Sequence, residues 1–420
     1  MTTRAGAGKA TIDLSSVLPF DGFDKERTCA FARAVLLEAD GTRACLVSLE
    51  VTSLRSDVVL DMRREVADVT GCDQAFVWIC VSHSFSFPHV RSLTSLTSDD
   101  QLARNACLRK ALLDAVREAA QDAVCSLAPA RLFATVGQTD VNVNRDVELA
   151  SGWWLGLNPA GFSDHGLRQL YATDEKGDVI WLAFSADVQS SVLDHSVTSD
   201  GQRVVDGDLA GCACRKLEEA LPGAVALFVV GCAADQAPCE KAALQVCGDD
   251  GKLAMRDAHE EGFSMVERLG KRLSDQALIA VRTNSGREIA VPSIRSFERE
   301  VQLPGQVRRD FSKLSPTRSW SFEQGEPVAT TVRALALGDV AVVGVEPELT
   351  SHMGFELRRI DGLLDVLTMV NGAAKYLPED DAYDKVTYEA QNSGFARGSA
   401  ELLASAIQSL VADATGKGLS

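Results

Sequence analysis

The sequence predicts an α/β fold in which mixed β-sheets are flanked by helices. Continuous apolar runs of strand length, such as residues 77–81 and 224–230, are typical of strands buried on both faces. Longer segments between them carry apolar residues at helical spacing, as residues 55–71 do. The chain has 420 residues, of which 46% are hydrophobic and 24% charged, so it can build a large core.

The first third of the chain alternates strands with helices. Strands are predicted at residues 9–13, 29–38 and 42–51, and a helix at residues 55–71. The run 75–81 is a further strand, and it ends near His83. Ser98 with Gln101 three residues later is a capping box, which predicts a helix reaching about residue 124. A histidine at the end of a buried strand is either a ligand or catalyst at the sheet edge, or a hydrogen-bonded structural residue.

The middle of the chain continues this pattern around one irregular segment. Strands are predicted at residues 131–143, 179–186 and 224–230, and a helix at residues 208–221. Residues 144–165 show no periodicity, and they contain the adjacent Trp153 and Trp154. Because adjacent tryptophans favour order, this segment is interpreted either as a binding loop or as a loop anchored by its aromatic side chains.

The last third is predicted to contain both strands and polar surface segments. Strands are expected at residues 288–291, 332–337, 340–345 and 363–370, and helices at residues 255–273, near Met353 to Ile360, and around Leu403 to Val411. Residues 295–328 and 376–391 are predicted to be irregular. The glycine-rich residues 248–254 suggest a lobe junction near residues 248–285. The pattern of residues 45–83 recurs in residues 340–371, which indicates two related lobes within a single domain of residues 1–420.

Charge and cysteine content restrict the partners and the compartment. The net charge of −17 argues against nucleic acid and anionic membrane surfaces, because both require clustered Lys and Arg. No apolar run approaches the roughly 18 residues of a membrane span, and residues 1–5 lack the apolar region of a signal peptide. The eleven cysteines are odd in number and lie in apolar contexts, which predicts reduced thiols and a cytoplasmic location. The oligomeric state is not determined by the sequence.

Several predicted strands end in side chains that can bind metal ions. His83, Asp187, Asp235 and Glu348 each follow an apolar run, and Tyr388 lies in a late loop. Imidazole and carboxylate groups at the ends of neighbouring strands are a common way to present a hydrolytic metal ion. Carboxylates after strands also cap helices, so the pattern alone leaves both interpretations open.

Short motifs along residues 5–410 resemble the catalytic domain of the neutral/alkaline (non-lysosomal) ceramidase family. The motifs, in chain order, are residues 6–13 (GAGKATID), 81–88 (VSHSFSFP), Asn144-Arg145, residues 208–211 (DLAG), 231–238 (GCAADQAP), 345–348 (VEPE), 376–378 (YLP) and Tyr388-Glu389. Each motif is weak alone, and their shared order supports the resemblance. The C-terminal β-sandwich of that family is absent from this sequence.

The resemblance implies a zinc site with a divergent ligand set. The ligand positions of the family fall on His83, Asp187, Glu348 and Tyr388, and a histidine of the family is replaced by Asp187. Because an oxygen-rich set favours harder ions, Mn²⁺ or Mg²⁺ becomes an alternative to Zn²⁺. A second histidine of the family is replaced by Phe85. These changes predict a substrate other than ceramide.

The function expected from this resemblance is that of a metal-dependent hydrolase or acyl-transfer enzyme. It would act on an amide or related acyl bond of a small molecule. Asp235 or Glu346 would serve as general base, and Arg145 would hold polar groups of the substrate. His89 and His165 are the candidates for replacement ligands. The alternative is a metal-free protein of the same fold that binds a ligand or a partner without hydrolysis.

Overall fold

The computed structural model describes residues 3–247, 253–283 and 285–417. Its strands are β1 (Arg4–Thr11), β2 (Lys25–Glu26), β3 (Phe31–Ala39), β4 (Thr42–Leu49), β5 (Val77–Val81), β6 (Ala128–Pro129), β7 (Arg131–Gln138), β8 (Asn142–Leu149), β9 (Gly152–Asn158), β10 (Gly166–Thr173), β11 (Val179–Ala186), β12 (Val204–Val205), β13 (Val225–Val230), β14 (Gln236–Pro238), β15 (Ala243–Cys247), β16 (Leu253–Asp257), β17 (Arg287–Ile289), β18 (Ile294–Gln306), β19 (Gln324–Leu337), β20 (Val340–Val345), β21 (Glu348–Leu349), β22 (Leu363–Leu367) and β23 (Tyr376–Leu377). Its α-helices are α1 (Ser56–Thr70), α2 (Asp99–Cys125), α3 (Asp208–Ala220), α4 (Glu261–Arg282), α5 (Ser351–Leu357), α6 (Asp380–Lys385), α7 (Tyr388–Gln391) and α8 (Ser399–Thr415).

Sheet 1 has the strand order β5-β4-β3-β1-β6 and is covered on one face by α1 and α2. The pair β4–β5 is parallel and is joined by α1, whereas the other pairs are antiparallel. The helix start predicted at Ser98 is confirmed, since its side chain accepts a hydrogen bond from the Gln101 amide, although the Gln101 side chain accepts from the Thr97 amide and not from that of Ser98. Gly8 lets β1 and α2 approach closely, because a Cβ there would lie 2.1 Å from the carbonyl oxygen of Ala119.

Sheet 2 and sheet 3 repeat this arrangement. Sheet 2 has the order β13-β11-β10-β7-β17, its parallel pair β11–β13 is joined by α3, and α3 and α4 cover one face. Sheet 3 has the order β18-β19-β20-β22, its parallel pair β20–β22 is joined by α5, and α8 covers one face. Each sheet therefore contributes one parallel β-α-β unit.

The uncovered faces of the three sheets meet in one central apolar cluster. This cluster contains Trp78 from sheet 1, Trp181 from sheet 2 and Leu337 from sheet 3. Successive side chains of a strand point to opposite faces of the sheet. Each strand therefore contributes side chains both to the central cluster and to a cluster that the helices cover. This double burial accounts for the continuous apolar runs from which the strands were predicted.

The carboxyl ends of the three parallel pairs converge. The Asn371 amide after β22 donates to the carbonyl oxygen of Ile79 in β5 at 2.8 Å. The Thr368 hydroxyl donates to the carbonyl oxygen of Gly231 after β13 at 2.6 Å. The polar residues that follow these strands therefore share one side of the molecule, where ligands of α/β sheets bind.

Four segments differ from the sequence-based predictions. Residues 144–165 are not a loop, because β8 and β9 pair as a hairpin with Val147 opposite Trp154. Residues 295–328 contain most of the long β18–β19 hairpin, whose outer parts are polar because they are exposed. Residues 253–257 form β16 against β15, so the helix predicted from residue 255 begins at Glu261. Residues 376–391 contain β23, α6 and α7.

The two segments proposed as related lobes both form parallel β-α-β units. His83 after β5 and Asn371 after β22 also share a left-handed backbone conformation, with a φ of 58° in each. The division into two lobes stays a prediction. Of its expected junction, residues 248–252 and 284 lie outside the described ranges.

Two further expectations concern the cysteines and the membrane. The ten cysteines between residues 29 and 239 carry free thiols, and six of them are buried. Among the helices of these ranges, none combines the length and apolarity that crossing a bilayer requires.

Candidate active site

A cavity of about 870 Å³ lies at the convergent ends of the parallel strands. Its wall includes His83, Arg145, Gln189, Glu348 and Tyr388. These five side chains come from four regions of the chain: the end of β5, strand β8, the segment after β11, and the late elements β21 and α7. The fold therefore assembles them from positions up to about 300 residues apart.

His83 presents one ring nitrogen to this cavity. Its Nδ1 lies 2.6 Å from the carbonyl oxygen of Thr52, so Nδ1 carries the proton and donates to that carbonyl. Its Nε2 is buried and faces Glu348 Oε2 at 3.2 Å, with which it forms an ion pair only when the ring is protonated. In the neutral ring Nε2 is then an unprotonated acceptor, and carboxylate oxygen is an acceptor as well. A tautomer fixed by a backbone carbonyl is typical of metal-binding histidines.

Glu348 is held beside His83 by the short sheet β21–β23. Its amide donates to the carbonyl oxygen of Lys375 at 2.9 Å, and β21 pairs with β23 in parallel. Burial acts to raise the pKa of Glu348, but the protonated form of His83, together with Lys375 and Arg145, outweighs burial and holds that pKa below its ordinary value. The side chain is therefore a buried carboxylate that the surrounding basic groups keep ionised.

Arg145 is fixed by hydrogen bonds on two sides. Its Nε and Nη2 donate to Glu389 Oε1 at 2.8 and 2.6 Å, and its Nη1 donates to Gln189 Oε1 at 2.8 Å. Burial acts to lower the pKa of Arg145, but Glu389 and the neighbouring tyrosines hold it well above its ordinary value. The guanidinium is therefore a permanent, immobilised cation in the wall of the cavity.

Two tyrosines cover the guanidinium of Arg145. The centre of the guanidinium lies 5.2 Å from the ring centroid of Tyr376 and 5.6 Å from that of Tyr388. Asn392 donates a hydrogen bond to Tyr388 Oη at 3.1 Å. Burial raises the pKa of Tyr388 to about 12 and raises that of Tyr376 still further, so both phenols keep their protons at neutral pH.

The remaining wall of the cavity is rich in basic groups, in contrast to the net charge of the whole chain. Arg203, Lys241 and Lys375 line it together with Arg145. Lys241 is mostly buried, and its ammonium lies 3.7 Å from Asp194. This cavity is therefore a positively charged recess in an acidic protein, which favours an anionic ligand.

Asp187 does not join His83 in this cavity. Its two carboxylate oxygens accept hydrogen bonds from Arg358 at 2.7 and 2.9 Å, and the Cys232 amide and the Ser351 hydroxyl also donate to them. The side chain is fully buried in this polar cluster. The side chain predicted as the second ligand is therefore held in an internal ion pair and does not line the cavity of His83.

The two carboxylates predicted as general bases also lie elsewhere. Asp235 lines a separate cavity, where it accepts hydrogen bonds from the Ser351 amide at 2.8 Å and from Asn144 at 3.1 Å. Glu346 forms an ion pair with Arg333 at 3.1 Å outside both cavities. Neither carboxylate lines the cavity of His83.

His89 and Phe85 line the cavity of His83, whereas His165 does not. His89 lines the cavity, but its Nδ1 lies 3.0 Å from Asp21, with which it forms an ion pair when protonated. His165 interacts through Nδ1 with Asn142 at 2.9 Å and does not line the cavity. Phe85 packs edge-on against the His83 ring, with 4.7 Å between the ring centroids. Phe85 therefore makes the surroundings of His83 apolar.

Two residues of the site were not identified from the sequence. Gln189 donates from Nε2 to Glu348 Oε2 at 3.3 Å, so it occupies the place that Asp187 was expected to take. Tyr376 was recognised within a motif but was given no role. The signal for Gln189 was weak, because it lies three residues beyond the end of β11, where strand periodicity no longer applies.

The donor set fits a metal ion in part. His83, Glu348 and Tyr388 offer one imidazole nitrogen and two oxygens, which is enough for a catalytic site with an open position. In the neutral ring, Nε2 of His83 and the Glu348 carboxylate are two acceptors 3.2 Å apart, and this arrangement favours a metal ion here. Within the described ranges, however, no group of three or more His, Cys, Asp and Glu side chains is arranged to hold an ion.

Comparisons with known proteins show the fold. Neither a protein-family model nor a curated protein sequence matches the chain. Solved structures do match, among them a ceramidase described as complexed with C2 and the neutral ceramidase from Pseudomonas aeruginosa. Both have a TM-score of 0.72 and cover 99% of this chain, with identities of 16% and 17% and coverage of 75% and 74% of their own chains. This confirms the neutral ceramidase-like α/β fold predicted from the motifs.

Proposed function

We propose that this neutral ceramidase-like fold carries a hydrolase or acyl-transfer site in the cavity around His83, Glu348 and Arg145. The substrate is a small molecule other than ceramide, and the reaction occurs at an amide or related acyl bond. The observation that carries the proposal is the buried Nε2 of His83, which faces Glu348 Oε2 at 3.2 Å and has no donor to accept from when the ring is in its neutral tautomer. Buried polar atoms are rarely left without a partner, except where function requires one.

The charge of the cavity supports a substrate with an acidic group. Arg145 and Lys375 are close enough to Glu348 to affect its pKa, and Arg203 and Lys241 extend the basic wall. An uncharged lipid would gain nothing from these groups and would leave them buried against an apolar chain. An N-acyl amino acid, which combines an amide with a carboxylate, represents the proposed class.

His83, Glu348 and Tyr388 would hold the metal ion of the proposed site. Zn²⁺ suits this set, and Mn²⁺ remains an alternative because two of the three donors are oxygens. Such an ion supplies polarisation of a carbonyl group and a nucleophilic water at neutral pH. Gln189 then stands beside the site as a neutral hydrogen-bonding group, where the sequence predicted a ligand.

The side chains of the chain itself orient the substrate. Arg145 keeps N–H groups beyond those used by Glu389 and Gln189, and these can donate to a substrate oxygen. The Tyr376 phenol touches Arg145 and stays protonated, so it is a second donor in the same wall. Donors fixed before the reaction stabilise negative charge on a carbonyl oxygen without reorganisation.

Metal analysis of purified variants tests this proposal directly. After loading with Zn²⁺ or Mn²⁺, the wild-type protein should hold one ion per chain, His83→Ala should hold none, and His195→Ala should keep it. His195 is a suitable control because it lines the same cavity with an exposed side chain. Gln189→His should raise the affinity for Zn²⁺ by about tenfold or more, since it supplies a further imidazole. A wild-type protein without metal after loading contradicts the metal site.

Turnover tests the substrate class. N-acyl amino acids should be hydrolysed faster than ceramide, and His83→Ala should lower that rate by about 100-fold or more. Faster hydrolysis of ceramide would contradict the proposed substrate class.

A metal-free binding protein is the second candidate function. It is favoured by the absence of a three-membered His, Cys, Asp and Glu group within the described ranges, and by the contact of the Gln189 amide with Glu348. In that case the loaded protein holds no metal, turns over no acyl compound, and binds an N-acyl amino acid equally well with His83→Ala.

We also propose a cytoplasmic location, which rests on the free thiols of the ten cysteines between residues 29 and 239.

A further inference from the structure

A cavity of about 260 Å³ lies between the inner faces of the three sheets. Its lining includes strands of all three: β3, β4 and β5 of sheet 1, β7, β10, β11 and β13 of sheet 2, and β19, β20 and β22 of sheet 3. Among the described residues, none lines both this cavity and the active-site cavity. The sheets therefore enclose a second space, which we call the central cavity.

Apolar side chains in the middle of several strands are only partly buried where they line the central cavity. Leu46 of β4, Leu170 of β10 and Val342 of β20 are examples. All three pack against the central apolar cluster that also contains Trp78 and Trp181. Protein interiors leave few voids larger than a water molecule, and an unfilled apolar void is destabilising. An apolar molecule in the central cavity would remove this destabilisation.

Two buried indole groups in the wall of the central cavity have no hydrogen-bond partner within the described part of the chain. Trp78 is 0% exposed and Trp181 is 2% exposed, and both line the cavity. The Nε1 atom of each is unpartnered. An indole nitrogen can only donate, and a buried tryptophan usually finds an acceptor for it. The partner that this wall lacks is therefore an acceptor, such as an oxygen atom.

The charged side chains of this lining do not require a charged ligand, because they are paired or exposed. Arg168 forms an ion pair with Asp164 at 2.8 Å, and Asp365 forms one with Arg358 at 2.9 Å. Arg287 also lines the cavity, and it is exposed. The buried, unpartnered groups of the described lining are therefore uncharged.

We propose that the central cavity is a binding site for a small, uncharged, apolar molecule that carries an acceptor oxygen such as a carbonyl. The indole N–H groups of Trp78 and Trp181 donate to the oxygen, and the hydrocarbon part packs against Leu46, Leu170 and Val342. This site goes beyond the proposed function and does not depend on it, because it uses a separate cavity and different side chains.

Isothermal titration calorimetry with acetophenone tests this site. The wild-type protein should bind acetophenone saturably at one site per chain. It should bind ethylbenzene, which has nearly the same shape without the oxygen, about fivefold more weakly. Trp181→Phe keeps an aromatic ring but removes the N–H, so it should weaken acetophenone binding by about fivefold and leave ethylbenzene binding unchanged. Trp153→Phe lies outside this cavity and should change neither affinity.

A space-filling variant keeps the test decisive if Trp181→Phe folds poorly. Ala183 of β11 lines the central cavity and is only partly buried. Ala183→Leu adds bulk on this side of the sheet, so it should weaken acetophenone binding by about tenfold or more. Ala150→Leu makes the same change at an exposed position between β8 and β9 and should leave the affinity unchanged.

Four results would overturn the proposal. The first is the absence of saturable acetophenone binding, and the second is an equal affinity for ethylbenzene. The third is tighter binding of benzoate, which would show that Arg287 and not the indole groups selects the ligand. The fourth is loss of acetophenone binding in His83→Ala, which would place the ligand in the active-site cavity.

Discussion

At the scale of single residues, the end of β11 decides the character of the candidate site. The chain turns immediately after the strand, where the Val188 amide donates to the carbonyl oxygen of Ala186 at 2.9 Å. Asp187 then points to Arg358, and Gln189 reaches Glu348. Sequence spacing identified the correct strand end but not the residue that faces the cavity, since a turn abolishes strand alternation.

Asp187 has a structural role that can be measured. Asp187→Ala should lower the free energy of unfolding by about 3 kcal/mol, because it leaves the buried guanidinium of Arg358 undercompensated. This loss lies at the lower end of the range that is usual for removing one partner of a buried ion pair, since Arg358 keeps its ion pair with Asp365 at 2.9 Å. Urea denaturation gives the value.

The exposed pair Arg359–Glu356 supplies a matched control for Asp187→Ala. It has a similar separation of 3.1 Å, but both of its side chains are about half exposed or more. Glu356→Ala should therefore cost less than about 1 kcal/mol. Equal losses in the two variants would show that burial of the Asp187 pair is energetically unimportant.

At the scale of secondary structure, the close approach of β1 to α2 depends on missing side chains. A Cβ at Gly6 or Gly8 would lie 2.1 Å from a carbonyl oxygen of α2. The motif that contains these glycines was used for the family resemblance. The physical reason for glycine at these two positions becomes visible only in the folded structure, because the contact between β1 and α2 joins residues more than 100 positions apart.

Gly8→Ala should therefore destabilise the protein by about 1–3 kcal/mol, since backbone atoms must move to admit the methyl group. Gly137→Ala in β7 is the control, because the nearest atom to a Cβ there is 3.7 Å away. That variant should change the free energy of unfolding by less than about 1 kcal/mol. Chemical denaturation compares the two, and a similar loss in both would contradict tight β1–α2 packing.

At the scale of the whole molecule, buried carboxylates tie distant elements together and respond to pH. Asp235 follows β13 and accepts hydrogen bonds from Asn144 of β8 and from the Ser351 amide of α5. Burial raises the pKa of Asp235 to about 7, with a smaller contribution from Glu389 in the same direction. In the unfolded chain an aspartate has a pKa of about 3.9.

The stability contributed by protonated Asp235 is thus fully present below about pH 4 and is lost as the pH rises towards about 7. Asp235→Asn keeps a neutral side chain at every pH. Its free energy of unfolding should therefore fall less between pH 5 and pH 8 than that of the wild-type protein. Urea denaturation at the two pH values measures the difference, and equal falls would contradict the raised pKa.

The sequence by itself determined the α/β class, most of the strands and helices, and the polar residues that follow several of the strands. These features depend on local periodicity and on the burial of strands between two apolar clusters, both of which are visible along the chain. The chain order of the motifs also indicated the neutral ceramidase-like fold, which the structural comparison confirms.

Only the tertiary structure decided which polar side chains meet. His83, Glu348, Arg145 and Tyr388 share one cavity, whereas Asp187, Asp235 and Glu346 have partners elsewhere. The basic wall of the active-site cavity was also invisible in a chain with a net charge of −17. The physical reason is that a carboxylate is neutralised by whichever cation the fold brings near it, and spacing along the chain does not fix that partner.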